Sequence, residues 1–594
     1  MIQSELLPYY QKRKSDFTVL LDQAKAKINA VSNLRILIAV AFLAVFYFAV
    51  TNPSLFYIEL LLLIIFIVFV KWHSSLFQKK THLENLVKIN ELESEAVKGN
   101  DAGFASGVEF INPTHPYSHD LDIFGEGSLY QSINRCNTIH GRKDMAERLT
   151  SPLLSADEII VNQQAVQELA TKTDFCQHFQ AAGMEIEEQQ NDRQQLLAWL
   201  DQPSFLYPKP FFKYFLPIFS ALTIGFVVAS FFTPVAKPWA IVCALSQWAI
   251  LAFHIKKVNA FHEYISKKKI ILQKYAHLLF YLQKEEFSTP ELKKLSERAD
   301  QADVKVKSLA SLVSSLNARL NAMTTLVVNS LLFYDLQCVY RLEKWKHENA
   351  SNLKTWLEAV SETEVLCSIG TFSFNHPQFT YPIIDSTLAI ETKELGHPLI
   401  QPDECVPNDV LVGKNQSVLI ITGANMAGKS TFLRTIGVNL VLALSGAPVC
   451  AKEFRCPIIN MRSGMRTADS LKDHQSYFYA ELNRLKTIMD ELRNDKPLFI
   501  LLDEILKGTN STDKQSGSIS LVKQLLPHPC LALIATHDLA LGELETEYPE
   551  KIKNFCFEAN IENDQLSFDY KLKPGLAQKM NATFLMKKMG IIPA

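Results

Sequence analysis

TGANMAGKSTFLR, Thr422 to Arg434, follows an apolar run that reads as a strand and opens an apparent helix, and this placement decides how the C-terminal third of the chain folds. Gly423, Gly428, Lys429 and Ser430 complete the pattern G-x-x-x-x-G-K-[ST]. Glycines in such a loop let backbone N–H groups turn inward and cradle phosphates at a helix N-terminus. Lys429 brings a cation to the β- and γ-phosphates of a nucleoside triphosphate, and the Ser430 hydroxyl is a ligand for Mg²⁺. Two further apolar runs end in polar clusters. KPLFILLDEI (Lys496 to Ile505) closes on Asp503 and Glu504, and CLALIATHD (Cys530 to Asp538) closes on Thr-His-Asp. In a parallel α/β sheet ligands gather at the carboxyl ends of strands, so all three segments are expected to meet at one nucleotide. Asp503 is expected to hold Mg²⁺ through its shell, Glu504 to orient or deprotonate the attacking water, and His537 to contact the γ-phosphate.

The N-terminal half reads differently. Leu34 to Val50 and Leu55 to Val70 are nearly charge-free and are separated by Thr51-Asn52-Pro53-Ser54; Tyr214 to Phe232 and Trp239 to Phe253 repeat the arrangement. Two transmembrane helical hairpins are expected. Each run lies near the lower end of the ~17–25 residues that span a bilayer, so buried core helices are the competing reading. Lys12, Arg13, Lys14, Lys25, Lys27 and Arg35 precede the first hairpin and Lys71 follows it, while Lys209, Lys213, Lys256 and Lys257 flank the second. By the positive-inside rule, a four-helix multi-pass protein with both termini and the ATPase domain in the cytoplasm follows. The first run starts too far from Met1 to read as a signal peptide. Glu59 is expected to reach the interface near the outer end of its helix.

The composition fits several domains carrying a small membrane anchor: 594 residues, 48% hydrophobic, 21% charged, net charge -2. Ten cysteines without a CxxC pair point to a reducing compartment and not to zinc. Between the hairpins and the nucleotide site the chain is expected to be helical, with Ser155 as an N-cap before Asp157 and Glu158. Lys256 to Lys346 holds 16 Lys plus Arg against 9 Asp plus Glu. That excess suits the phosphates of a duplex, an anionic membrane flank or an ordinary solvated helix face, and the Lys267-Lys268-Lys269 cluster lies close enough to the second hairpin to be such a flank.

With these residues in view the chain resembles the MutS family of ATPases. GANMAGKST is similar to the family's GPNMGGKST, DEILKGTNST (Asp503 to Thr512) to its DEIGRGTST, and IATHD to its ATH switch. GSLYQSINRCNTIHGRKDMAERLTSPL looks like the segment opening the family's core lever domain, and LGHPLI (Leu395 to Ile400), PND (Pro407 to Asp409) and YKLKPG (Tyr570 to Gly575) resemble flanking motifs. The resemblance covers roughly Asp120 to Ile592 outside the second hairpin. It implies nucleotide contacts from Asn425 and Thr431 beside the glycines, and from Ser476 in DHQSYFYAEL across a homodimer formed by the ATPase domains. As a polar helix-start residue, Ser476 would need no partner. Gly508-Thr509 is expected to shape the loop beyond the carboxylates.

The departures are informative too. Ala424 and Ala427 replace the usual Pro and Gly, and Cys405 stands where an aromatic often precedes Val-Pro-Asn-Asp, which leaves adenine stacking there in doubt. The roughly 120 residues before the lever hold a hairpin and a connector in place of a mismatch-reading domain, and no nuclease-like extension is expected after Ala594. The expected organisation is multidomain. An N-terminal amphipathic segment (1–32) leads into hairpin 1 (33–71), a connector and MutS-like helical core (72–210) and hairpin 2 (211–255). A helical lever (256–366) then joins a C-terminal α/β P-loop ATPase domain of ABC type (367–594). The expected function is a membrane-anchored, MutS-like ATP hydrolase using ATP and Mg²⁺, bound to the lipid bilayer and to double-stranded or branched DNA, and related to mismatch repair or recombination. A membrane-associated ATP-dependent switch or remodelling protein without DNA is the alternative. A primary transporter is disfavoured by four short helices with no evident polar pathway.

Overall fold

The computed structural model describes residues 3–49, 51–466, 477–494, 496–507, 509–562, 565–578 and 591. The first apolar run is the distal part of one continuous helix, α1 (Gln3–Ala49), which turns through a short 3-10 segment into α2 (Phe56–Ala96). The amphipathic segment expected at 1–32 is therefore the proximal part of the same antiparallel pair. Its polar half buries Leu6, Tyr10, Leu21 and Leu86, whereas the distal half leaves Leu37, Leu43, Phe46 and Ile64 more than half exposed. Glu59, in the first turn of α2, is 8% exposed.

A helical body follows, built from α3 (Leu129–Ile133), α4 (Ile139–Thr150), α5 (Ala156–Thr171), α6 (Thr173–Met184) and α7 (Asp192–Asp201). The second hairpin is α8 (Pro210–Ala229) and α9 (Ala236–Ile265), and its apolar stretches are again mostly uncovered. Among the described residues, α1, α2, α8 and α9 are apolar enough and long enough to be compatible with membrane spans. The chain returns through α10 (Lys269–Lys284), α11 (Pro290–Arg298), α12 (Ala302–Asn317) and α13 (Ala322–Leu332) into α14 (Tyr334–Asn375), which crosses residue 366 without a break.

Caps and buried charges knit this body together. Ser128 and Thr138 accept hydrogen bonds from Gln131 N and Gly141 N as N-caps, whereas Ser155 occupies the N-cap position of α5 without a side-chain cap bond. Glu364 of α14 accepts from the N–H groups of Asn137 (2.8 Å) and Thr138 (3.0 Å), placing a carboxylate at the N-terminus of α4. Gly141 is required there, since a Cβ would lie 2.1 Å from that carboxylate. Hairpin 1 is fastened through Glu93, whose carboxylate pairs with Arg135 at 2.5 Å and accepts from Asn375 Nδ2 at 2.9 Å. Tyr10 adds a 2.6 Å bond to Asn375.

The C-terminal α/β domain has two main sheets. The strands are β1 (Ile383–Ile384), β2 (Ile390–Leu395), β3 (Asn408–Val412), β4 (Val418–Gly423), β5 (Glu453–Cys456), β6 (Asn460–Gly464), β7 (Leu498–Asp503), β8 (Cys530–Thr536), β9 (Ile552–Phe557), β10 (Ala559–Glu562), β11 (Gln565–Phe568) and β12 (Lys573–Pro574). The six-stranded sheet runs β12-β9-β4-β8-β7-β6, parallel except for β12. The four-stranded sheet runs β1-β5-β2-β3. Helices α15 (Lys429–Leu444), α16 (Tyr477–Leu492), α17 (Ser511–Leu525) and α18 (Leu544–Glu547) complete the domain. Strands β4, β7 and β8 are near-continuous apolar runs because a parallel sheet covered on both faces has no wet side.

Asp120 is the joint between the helical body and this domain. Its buried carboxylate accepts from Ser463 Oγ (2.8 Å), Met465 N and Arg466 N (both 3.1 Å) and pairs with Arg484 at 2.8 Å. Its carbonyl accepts from Arg434 of α15 at 2.9 Å. One residue thus touches the helix after the glycine loop, the end of β6 and α16.

Candidate nucleotide site

The end of β4 delivers the glycine loop into α15. Gly428 sits at φ 105°, in the left-handed region, with Tyr570 close enough that a Cβ would lie 3.2 Å from its ring. Glycine relieves both constraints. Met426 also adopts a positive φ of 67° and stands 76% exposed at the loop tip. Lys429, the first residue of α15, is folded back and buried. Its Nζ donates to the carbonyls of Gly423 (2.8 Å) and Ala424 (2.9 Å) and lies 3.3 Å from His537 Nε2. Burial holds this ammonium down to about 8.

The order of the sheet brings the other motifs alongside. β8 lies between β4 and β7, so His537, just past β8, stands between the glycine loop and the carboxylates at the end of β7. Ser430 Oγ donates to Asp503 Oδ2 at 2.5 Å. Glu504 Oε1 is 2.9 Å from His537 Nε2, and its other oxygen is 3.6 Å from Lys507 Nζ. The hydrogen bond with His537, aided by Lys507, holds the Glu504 carboxyl down to about 2.

The loop carrying Glu504 is conformationally strained. Glu504 and Leu506 have φ of 52° and 59°, unusual for residues with a Cβ. Two hydrogen bonds over-determine the turn: Glu504 N to Ala535 O at 2.9 Å, and Leu506 N to Glu481 Oε1 at 2.6 Å. Strain of this kind persists where surrounding structure fixes it and concentrates at functional sites.

Asn425, Gly428, Lys429, Ser430, Thr431, Asp503, Glu504 and His537 line one cleft of about 550 Å³, and Gly423 contributes the carbonyl that receives Lys429. Ser476 and Gly508 lie outside the described residues. Several contributors were not foreseen. Tyr570 lines the cleft, held by its carbonyl accepting from Asn408 Nδ2 at 3.0 Å, while Asn408 Oδ1 receives Leu572 N at 2.8 Å. The PND and YKLKPG motifs therefore fasten to each other. Cys405 also lines the cleft, with Val406 beside it, so position 405 offers no ring, whereas Tyr570, Phe432 and Phe557 are aromatic residues lining the same cleft. The basic stretch 256–346 is less available than its composition suggested. Lys268 pairs with the Asp192 carboxylate at 2.6 Å, Lys274 donates to the carbonyls of Asn137 and Ile186, and Lys346 donates to the Gln202 carbonyl.

Fold and site define an α/β domain whose glycine loop, two carboxylates and histidine meet at the carboxyl edge of a parallel sheet. Residues 419–593 match the family profile of MutS domain V. The chain is 30% identical over 267 residues to the DNA mismatch repair protein MutS of Carboxydothermus hydrogenoformans, covering 44% of this chain and 31% of that protein. It is 32% identical over 257 residues to the protein of the same name from Myxococcus xanthus (41% and 28%), and 27% identical over 263 residues to Endonuclease MutS2 of Clostridium kluyveri (43% and 32%). These matches support membership of the MutS family. The chain spans only about three tenths of the length of these relatives.

Proposed function

We propose that this chain is a membrane-anchored, MutS-like P-loop ATPase in which ATP binding and hydrolysis drive motion of the helical body. The observation that carries the reading is the convergence of Lys429, Ser430, Asp503, Glu504 and His537 in one cleft whose adjoining helix is bonded to the body through Asp120. The residues fit the groups expected there. Ser430 and Asp503 offer oxygen donors 2.5 Å apart, the ligand type Mg²⁺ prefers, and the loop from Gly423 to Gly428 has the backbone of a phosphate cradle. Bound Mg²⁺ supplies charge neutralisation to the phosphates.

The remaining work belongs to the side chains. Lys429 exchanges its two carbonyl contacts for phosphate oxygens, with Asn425 and Thr431 completing the grip. Glu504, ionised and held well below the usual carboxylate range by its hydrogen bond with His537, is placed to orient or deprotonate the attacking water. His537, lying between Glu504 and Lys429, is placed to meet the γ-phosphate. Two such domains close over nucleotide as a homodimer, with Ser476 reaching across. The hairpins anchor the assembly, with termini and ATPase domain on the cytoplasmic side.

The cargo can be DNA, or the protein can work on the membrane without nucleic acid. DNA as ligand is supported by the relatives, which are DNA mismatch repair proteins, and by exposed lysines such as Lys256, Lys257, Lys293 and Lys294. An ATP-driven membrane switch without nucleic acid is favoured by the internal engagement of Lys268, Lys274 and Lys346. The steady-state ATPase rate of the reconstituted protein, with and without homoduplex, mismatched and branched DNA at several salt concentrations, separates them. Stimulation that declines with salt selects DNA; a robust rate indifferent to every DNA selects the membrane switch.

A further inference from the structure

The connection between α12 and α14 climbs beside the second hairpin and turns back at Phe333. Its start is fixed to the base of α9 by Asn317, which bonds His262 Nε2 (3.1 Å) and the Ser266 carbonyl (2.8 Å). Its tip is fixed much farther along α9: Trp248 Nε1 donates to Ser330 Oγ at 2.9 Å, and Phe333 N donates to Gln247 Oε1 at 3.0 Å. Fourteen residues of α9 separate His262 from Trp248, a climb of about 21 Å at 1.5 Å per residue. On α8 the tip is level with Phe215, Phe219 and Ser220, whose partners are Phe333 and Gln337. These positions fall near the middle of α8, which itself matches the ~30 Å thickness of a hydrocarbon core. The fifteen residues from Leu320 to Tyr334 carry no charge, and Leu320, Leu326 and Val327 are 75%, 58% and 51% exposed.

The turn at the tip breaks the helix, yet its backbone groups are met by side chains. Phe333 adopts φ 48°, an unusual conformation for a bulky residue. Gln247, 1% exposed, accepts from its N–H and donates to Thr223 Oγ1 at 2.7 Å. Gln337 Nε2 donates to the Leu332 carbonyl at 2.7 Å, and Asn329 Oδ1 accepts from Asp335 N at 3.0 Å. A helix break inside hydrocarbon needs this kind of internal satisfaction, because no water is available to supply it. The nearest charges on either side, Arg319 and the fully buried Asp335, pair with each other at 2.9 Å, as charges at membrane depth do.

We propose that α13 and the first turn of α14 form a re-entrant segment that enters the bilayer beside the second hairpin and turns at mid-depth, with the Leu326 and Val327 face in contact with lipid acyl chains. The proposal rests on the membrane reading of that hairpin. A benzophenone amino acid placed at Leu326 of the full-length protein in native membranes tests it, with Leu245 of α9 as the hairpin control and Val304 of α12 as the control outside the bilayer. After irradiation, acyl-chain adducts on the purified protein are quantified by mass spectrometry. The yield at 326 should match that at 245 and exceed that at 304 at least tenfold, and a repeat at Val327 guards against a local folding defect. A yield at both 326 and 327 no greater than at 304, with 245 still positive, overturns the re-entrant segment alone. Equal low yields at all positions overturn the hairpin reading beneath it as well.

Discussion

Burial of Lys429 leaves its ammonium poorly solvated, with its pKa drawn from 10.5 down to about 8. The charged form is disfavoured by folding, so the penalty is fully present below pH 8 and is relieved as pH rises from 8 to 10.5. Phosphate oxygens reverse the preference, so ATP binding near pH 9 should take up close to about one proton and neutral-pH binding almost none. Calorimetric titrations in buffers of different ionisation enthalpy measure this directly, and a binding heat independent of buffer at pH 9 would sink the assignment. Lys429→Ala should abolish ATP binding. Glu504 has the opposite sign: held near 2 against 4.5, it contributes stability that is present above pH 4.5 and lost as pH falls toward 2. Glu504→Gln should keep ATP and accumulate closed dimer with turnover reduced by at least about a hundredfold, seen by sedimentation with ATP; a mutant that hydrolyses normally argues against a water-orienting role. That Lys429, Ser430, Asp503, Glu504 and His537 meet in one cleft was legible because each lies at or just beyond the end of a short apolar run, in motifs of fixed spacing. Tyr570, Glu481 and Asp120 were not, since their partners lie 162, 25 and 345 residues away and only the closed fold brings them together.

Among the elements, the long apolar helices could be read from composition alone, because uninterrupted apolar runs of that length leave few alternatives. Their polar extensions could not: α1 and α2 continue as one pair far beyond the apolar stretch, held by contacts that no local pattern announces. The 11-residue α13 also escaped, being too short for a spanning segment and recognisable only from what it lies beside. The fastening of α2 rests on the buried pair Glu93 and Arg135, 1% and 4% exposed in their side chains. Glu93→Ala leaves the guanidinium buried without its partner, a loss of about 3–5 kcal/mol, and should lower the melting temperature of the reconstituted protein and expose the α1–α2 pair to protease. Replacing both residues together, Glu93→Leu with Arg135→Met, should recover much of that loss. A single mutant that melts like the parent would show that the pair does not hold the hairpin.

At the scale of the whole molecule, α14 is the shared part: 42 residues without interruption, about 63 Å at 1.5 Å per residue. One end begins at the Phe333 turn, and the other reaches Asn375, which bonds both Tyr10 and Glu93. Along the way Glu364 caps α4, the helix leading toward the α15 junction, where Ser445 Oγ donates to the Arg148 carbonyl at 2.9 Å. A helix this long and this well packed does not absorb a displacement at one end; it delivers it to the other. If ATP moves that helix, the depth of its far tip changes, and thermodynamic reciprocity requires the converse. Lipids that favour a deeper or shallower tip must then shift nucleotide affinity by the same factor, so ATP affinity measured across nanodiscs of increasing acyl-chain length should vary monotonically, while the detached α/β domain should not respond. Under the proposed membrane and ATPase roles, the bilayer would then act as a ligand, and its thickness as a concentration to be titrated.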